Sequence, residues 1–505
     1  MRALLSVWDK RGLVTLAEGL AALGVELVAS GGTAAALDEA GVSHRKVEDL
    51  TGWPEMLAGR VKTLHPALYA GILADLDDEG HRADLKAHDI TPIDLVVCNL
   101  YPFSSDPSIK LIDVGGPTMV RAAAKNHAHV GVLVDPSDYD AVLAELREAG
   151  ALSAATRVRL ARNAFAHTAA YDAAIVEWFD AEVAPSEELP PSVHLTLERA
   201  QPLRYGENPH QRGARYRIRG QASFWDHVVQ HAGSALSYLN LFDADAAWRL
   251  AHELAGDTGR VAAVIVKHAN ACGAAVADDV VEAYRLALGA DELSAFGGVI
   301  AVTGEVDADV ATAIAAGPQA DVVIATSLTD EGRDLLIARR KATRLLSAPA
   351  PGEPTWSIRT IGDSILLQDA DIFECDAPSW AVVTSRAPTD AELADLAVAW
   401  RVCARTSSNA IVLARDGVAV GIGAGQQSRV VPAELAAAKA GDRAKGAAAA
   451  SDAFFPFPDG LEALAAAGVT AVVQPGGSIK DADVIAAADR AGIAMVFTSE
   501  RHFRH

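Results

Sequence analysis

Cysteine is scarce in this chain: Cys98, Cys272, Cys375 and Cys403 are the only four, and no two of them stand at C-x-x-C spacing. That scatter excludes a disulfide framework and a cysteine zinc site. Long apolar runs are missing as well. No stretch approaches the ~20 apolar residues of a membrane span. The opening Met1-Arg2-Ala3-Leu4-Leu5 meets Asp9-Lys10-Arg11 before a signal-peptide core forms. A cytoplasmic address without membrane attachment is the expectation. Positive charge is in deficit, with 44 Lys and Arg against 66 Asp and Glu and a net charge of −22. Nucleic acid is therefore not expected as a partner. A small anionic substrate still fits, provided locally placed cations and helix N-termini overcome the repelling global field. Three catalytic signatures are also absent: the H-x-E with C-x-x-C of zinc deaminases, the Walker A loop and G-x-S-x-G. No catalytic metal is expected.

What the chain does contain is alternation. At 505 residues it exceeds one ordinary core, and 50% hydrophobic with 22% charged residues marks a globular protein. Ala3 to Val7 reads as a strand, and Leu13, Leu16, Leu20 and Leu23 follow at helical spacing. Val25 to Ala29 is a second strand, running through Ser30-Gly31-Gly32-Thr33 into another helix. This order predicts a parallel α/β sheet. Small hydroxyl and glycine residues between strand and helix offer backbone N–H groups to a phosphate, or they are an ordinary capped turn. Both readings stay open on those four residues alone.

Arg60-Val61-Lys62-Thr63-Leu64-His65-Pro66 concentrates cations, a hydroxyl and an imidazole in a loop. Ile93 to Cys98 predicts a strand ending in Asn99-Leu100-Tyr101. Asp113-Val114-Gly115-Gly116 then opens a helix that carries Arg121, Lys125 and Asn126. The stretch from Ser153 to Val183 reads as one long helix packed through Ala161, Phe165 and Ala169. Ala184-Pro185-Ser186-Glu187-Glu188-Leu189-Pro190-Pro191 has the composition of a linker. The expected division is 1–184, a linker at 185–192, and 193–505.

In the second part, Val261 to Val266 is an apolar run that predicts a buried strand, and its end delivers Lys267, His268 and Asn270 side by side. The Ala and Gly residues after it are expected to leave room for a ligand. Arg204-Tyr205-Gly206-Glu207-Asn208-Pro209-His210-Gln211 suits a surface turn or a clamp on a polar ligand. Leu239-Asn240-Leu241 precedes a helix, and Gly298 and Asp321 each stand before a strand. Gly421-Ile422-Gly423-Ala424-Gly425 lacks the spacing of a dinucleotide fingerprint. An aromatic loop around Phe457 and a basic tail, Arg501-His502-Phe503-Arg504-His505, complete the chain.

In this order, from Ser6 to His505, these motifs resemble the bifunctional purine-biosynthesis family that joins an IMP cyclohydrolase domain to an AICAR transformylase domain. The resemblance implies an α/β fold: a three-layer methylglyoxal-synthase-like domain, then a duplicated cytidine-deaminase-like α/β region without its zinc, assembled as a homodimer. It implies 10-formyltetrahydrofolate as co-substrate, and the nucleotides AICAR, FAICAR and IMP as ligands. It implies catalytic roles for Lys267, His268 and Asn409 in formyl transfer. Lys62, Tyr101, Asp113 and Lys125 would serve cyclisation, with Asp113 and Lys125 able to pair across one helix start. Nucleotide binding falls to Lys10, Ser30, Gly31, Gly32, Thr33, Arg60 and Thr63 in the first domain. In the second it falls to Arg204, Tyr205, Asn240, Gly298, Asp321, Arg429, Arg501 and His505, with Phe457 near the folate.

The sequence departs from that pattern at a few positions. Trp8 stands where the family usually has serine, Tyr69 replaces a common histidine, and Asp75 replaces a common arginine. Ala271 replaces a proline, and Glu292-Leu293 replaces Pro-Val. Two alternatives remain: a chain active only as the transformylase, and a first domain that merely senses nucleotide.

Overall fold

Short apolar runs become the strands expected of them. The structure is a computed structural model. It describes residues 1–505 apart from Glu55, Ala58, Gly59, Arg60 and Glu187, and the side chain of Ser104. It divides into Met1–Glu198 and Arg199–His505.

In the first unit, β1 (Arg2–Leu5), β2 (Glu26–Ala29), β3 (Arg45–Lys46), β4 (Leu95–Val97) and β5 (Gly131–Leu133) form one sheet in the order β3-β2-β1-β4-β5. Every pairing is parallel. β1, β4 and β5 are buried along their whole length, which explains continuous apolar runs in place of alternation. The helix Ala154–Trp178 covers the same core, but not by the face expected. Leu160, Ala161, Ala164, Thr168 and Tyr171 are its buried residues, whereas Phe165 is 40% exposed beneath the Arg121 guanidinium. The buried set follows the i, i+4, i+8 stripe one step off the Phe165 row.

The second unit adds β6 (Leu197–Leu203), β7 (Gly213–Ile218), β8 (Val229–Ala232), β9 (Val261–Lys267), β10 (Asn270–Ala277), β11 (Val299–Val306), β12 (Val322–Leu328) and β13 (Arg344–Ser347). It continues with β14 (Trp356–Ile361), β15 (Ser364–Asp369), β16 (Ala381–Val382), β17 (Ile411–Arg415), β18 (Val418–Gly423), β19 (Ala448–Ser451), β20 (Ala471–Gln474) and β21 (Ala494–Phe497). Twelve of these form one mixed sheet, ordered β16-β21-β20-β19-β17-β18-β10-β9-β11-β12-β13-β8. The pairs β6 and β7, and β14 and β15, stand as separate two-stranded sheets.

That order is a duplication. An antiparallel hairpin (β9 and β10, or β17 and β18) is followed by three strands joined in parallel, closed by an antiparallel edge strand (β8, or β16). The halves meet where β10 pairs with β18 at Ala275 and Val418. Successive residues of β9 enter opposite cores, Ala263 and Ile265 one and Ala262, Val264 and Val266 the other, so the whole run is apolar.

Two expectations are corrected here. The residues after Lys267 are not an open loop; they turn back as β10, paired along β9 from Asn270 opposite Lys267, and His268, Asn270, Ala271 and Cys272 still border a cavity. A β-carbon on Gly273 would lie 2.0 Å from the Ala287 carbonyl oxygen, so this glycine admits a helix. Gly421 does the same against Ala436 at 2.1 Å. Leu239-Asn240-Leu241 does not precede a helix either. It lies inside the first turn of Tyr238–Thr258, where Asn240 Oδ1 accepts the Ser237 N–H and completes a capping box.

Candidate active sites

In a parallel sheet ordered β3-β2-β1-β4-β5, the winding reverses between β1 and β4, and a crevice opens beyond their carboxyl ends. A cavity of about 660 Å³ lies there. Lys10, Ser30, Gly32, Thr33, Lys62, Thr63, Tyr101 and Asp113 line it together with Trp8 and Asn99. Two helix N-termini face it: Gly31–Glu39, whose N-cap Ser30 makes no side-chain cap bond, and Gly115–Lys125, whose Gly116 N–H is already taken by Asp113. The leading N–H groups and dipole of Gly31–Glu39 favour an anion.

The loop after β1 is held in place by buried polar contacts. Thr33 Oγ1 accepts the Val7 N–H at 2.9 Å and donates to the Val7 carbonyl at 3.1 Å. Asn99 Oδ1, just past β4, accepts the N–H groups of Trp8 and Asp9 at 2.7 and 2.8 Å. Ser30 Oγ lies 3.3 Å from Ser6 Oγ. Asp113 is fixed from both sides: its Oδ1 accepts the Gly116 N–H at 2.9 Å, and its own N–H donates to Tyr171 Oη at 2.7 Å. Trp8 leaves half its surface exposed at the cavity and sets its ring edge-on to Tyr101, with centroids 5.2 Å apart. The Lys10 ammonium donates to the Trp8 carbonyl.

One expected pairing is not formed. Asp113 precedes the first turn of Gly115–Lys125, and Lys125 ends the last. Ten residue steps at 1.5 Å place the ends of that helix about 15 Å apart, and Lys125 does not line the cavity. A spacing of twelve in sequence is three turns in space, not one. Arg60 lies outside the described residues.

In the second unit the hairpin turn between β9 and β10 borders a cavity of about 330 Å³. Lys267, His268, Asn270, Ser294 and Lys439 supply its polar wall. The Lys267 ammonium donates to the Phe296 carbonyl at 2.9 Å, which keeps the cation at the rim. Lys439 is paired with Asp291 at 3.0 Å, and Asp291 also accepts the Ser294 hydroxyl at 2.7 Å. Cys272 faces the same space, but burial, with the nearby Asp291 charge, pushes its thiol up to about 11. It stays protonated and is a poor nucleophile.

Asn409 and Arg429 form a separate buried group. Arg429 binds the Asp452 carboxylate and the Asn409 side-chain oxygen, and donates to Ser451 Oγ at 3.2 Å. The Asn409 amide donates to the Gln426 carbonyl at 2.7 Å, so both ends of that side chain are engaged inside the protein. Arg204 stacks over Tyr205, and Arg501 over Phe503. The His505 carbonyl accepts from Arg359. Asp321 accepts the Arg344 N–H on its backbone oxygen, and Gly298 leaves 2.9 Å between a would-be β-carbon and the Val266 carbonyl. Phe457 is 59% exposed. None of these lines the cavity beside the hairpin.

Two residues of the basic tail make contacts that the sequence did not specify. Arg504, 235 residues from Ala269, donates to its carbonyl at 2.8 Å. Burial, with Arg405 beside it, holds the Arg504 guanidinium below its ordinary pKa. His502 stacks on Phe373 and meets Asp371 at 2.7 Å. Among the described residues, Asp75, Asp77 and His129 gather ligand-type atoms within 4.8 Å, and they line neither cavity.

The family model for the AICARFT/IMPCHase bienzyme matches residues 123–439, and that for the MGS-like domain matches 12–127. A bifunctional purine biosynthesis protein PurH from Dinoroseobacter shibae is 49% identical over 100% of this chain and 98% of its own. The chain belongs to the AICARFT/IMPCHase bienzyme family. Relatives of the same name from Sorangium cellulosum and Listeria welshimeri are 49% and 47% identical, each across all of this chain and 99% and 100% of their own. A solved structure described as "Crystal structure of ForH" shares 41% identity over 35% of this chain and 98% of its own, with a TM-score of 0.34. Membership makes this a two-activity enzyme of purine biosynthesis, a formyltransferase and a cyclohydrolase. The match runs through both units, which disfavours a chain with the transformylase alone.

Proposed function

We propose that the second unit transfers the formyl group of 10-formyltetrahydrofolate to the 5-amino group of AICAR, and that the first unit closes the product, FAICAR, to IMP. The amine of AICAR is a poor nucleophile because its lone pair is delocalised into the ring and carboxamide. As its nitrogen bonds to the formyl carbon it must lose a proton, and the carbonyl oxygen gains negative charge. Of the expected catalytic groups, His268 and Lys267 are the two on one cavity wall. His268 takes the proton, and the Lys267 ammonium meets the developing oxyanion. The transferred proton ends on the departing folate nitrogen. Asn409, expected to orient the amine, lies off that wall with its side chain engaged by Arg429 and the Gln426 carbonyl.

Cyclisation needs no cofactor: the carboxamide nitrogen attacks the formyl carbon of the same molecule, and water leaves. What it requires is a phosphate clamp and groups that stabilise charge at the closing ring. The observation that carries this assignment is the convergence of the uncapped N-terminus of Gly31–Glu39 with Lys10 and Lys62 on one cavity. Ser30 to Thr33 and Lys10 hold the phosphate. Lys62, Tyr101 and Asp113 attend the reacting atoms, and Lys125 falls outside that set.

A homodimer and a cytoplasmic address belong to the same reading. On the β14 and β15 hairpin, Ile358 and Ile365 stand exposed on one face and Ile361 and Leu366 on the other, an apolar element suited to contact with a second copy. No helix among the described residues is long and apolar enough to cross a membrane. Light scattering of the purified chain tests the dimer. For the chemistry, AICAR and 10-formyltetrahydrofolate are supplied together and products are followed. The intact protein yields IMP, Lys62→Ala accumulates FAICAR, and His268→Ala yields neither. Near-normal formyl transfer by His268→Ala overturns the catalytic assignment.

A further inference from the structure

We propose that Asp243 is a positioning residue for formyl transfer: its carboxylate holds the His268-Ala269 turn in a conformation those residues otherwise avoid, and so aims the His268 imidazole. The proposal rests on the catalytic reading of His268 given above.

β9 and β10 are joined by only these two residues, and both have positive φ, 55° and 58°. Such a turn suits Asn-Gly, because a β-carbon at positive φ crowds the backbone. His-Ala is a poor choice for it. The two N–H groups of the turn are not used by the hairpin's own ladder, and the Asp243 carboxylate accepts both, Oδ2 from His268 at 3.3 Å and Oδ1 from Ala269 at 2.7 Å. The carbonyls are held as well: Asn270 Nδ2 donates to the His268 oxygen at 3.1 Å and Arg504 to the Ala269 oxygen at 2.8 Å. Every backbone polar group of the turn thus has a side-chain partner.

The duplicated half repeats the device without the chemistry. There the hairpin turns at Asp416-Gly417, with φ of 53° and 77°. The Asp395 carboxylate accepts both N–H groups, Oδ2 from Asp416 at 3.0 Å and Oδ1 from Gly417 at 2.8 Å. Asp243 and Asp395 occupy the same place, the sixth residue of the helices Tyr238–Thr258 and Asp390–Ala404. In the second half a glycine takes the strained position. In the first half alanine occupies it, and histidine precedes it. The clamp therefore carries a conformation that the sequence of the turn opposes.

The test compares variants of the full chain in formyl transfer. Asp243→Asn keeps one acceptor and turns an N–H toward the other turn amide. The expected result is a kcat lowered about 10- to 100-fold, with the KM for AICAR changed less than about threefold. Ala269→Gly in the Asp243→Asn background relieves the positive φ and restores most of the lost kcat, which a general loss of stability would not allow. Asp395→Asn is the fold-matched control and leaves formyl transfer within about twofold, with thermal melting reported for all variants. If His268→Ala is inactive while Asp243→Asn keeps full kcat, the positioning role is overturned and the catalytic reading stands. If Asp395→Asn lowers kcat equally, or Ala269→Gly fails to rescue, Asp243 is only structural. If His268→Ala keeps its turnover, the catalytic reading falls first and the role of Asp243 with it.

Discussion

Gly31 meets Lys62 so closely that a β-carbon on the glycine would lie 2.5 Å from the lysine Nζ. The glycine also has φ of +48°, so both backbone and space call for the missing side chain. The turn at the start of the helix Gly31–Glu39 and the cation it faces are therefore one unit.

Gly31→Ala is expected to push the Lys62 ammonium out of place. Ring closure of FAICAR should fall by about tenfold or more, since misplacing a reacting group by about 1 Å has that scale of effect. Formyl transfer in the same preparation should persist. Separate assays with AICAR and with FAICAR read the two.

Asp113→Asn keeps an acceptor for the Gly116 N–H while removing the charge. The helix start should survive, with a melting temperature close to that of the parent. Cyclisation should fall about 100-fold if the carboxylate takes part in proton transfer. A cyclisation rate within about threefold of the parent would remove Asp113 from the reacting centre.

Asp452 is fully buried and pairs with Arg429, itself 8% exposed. Asp452→Ala leaves a guanidinium in the core without its counter-ion. A loss of about 3–5 kcal/mol in unfolding free energy is expected, measured by urea denaturation. Because Arg429 also holds Asn409, formyl transfer should weaken even where the variant remains folded.

Acid should loosen the helix Asp390–Ala404 through Glu392. Burial by itself would raise this carboxyl, but the Arg386 guanidinium and the Thr389 N–H outweigh it and hold it at about 2, against an ordinary 4.5. The folded value is the lower one, so this contribution to stability is complete above about pH 4.5 and is lost as pH falls toward 2. Melting temperature against pH should therefore drop less steeply between 4.5 and 2 in Glu392→Gln than in the parent.

Strands buried on both faces were the most legible part of the fold, because an apolar run such as Val261 to Val266 has few other uses. The hairpin that follows it was not legible, since His-Ala carries none of the glycine or asparagine that marks such a turn. In the first unit, Ser30, Thr33 and Tyr101 were legible as polar residues just beyond strand ends, whereas adding Lys62 and Asp113 to the same cavity rested on the family resemblance. Asp113 and Lys125 misled because distance along a helix grows steadily with sequence. Asp243 carried no signal, and Arg504 was visible only as part of a basic tail: one acts across 26 residues and the other across 235, and only the folded sheet brings them to the turn.

Gly273 and Gly421 stand in the two strands that join the duplicated halves, each under a helix carbonyl. Any side chain at either position would wedge a helix off the sheet at the joint. Random mutagenesis of this chain should then find its least forgiving positions at a seam remote from any chemistry, with drift freer along the outer strands. Each half needs its glycine to seat its own helix, so the two intolerant positions fall side by side at the seam.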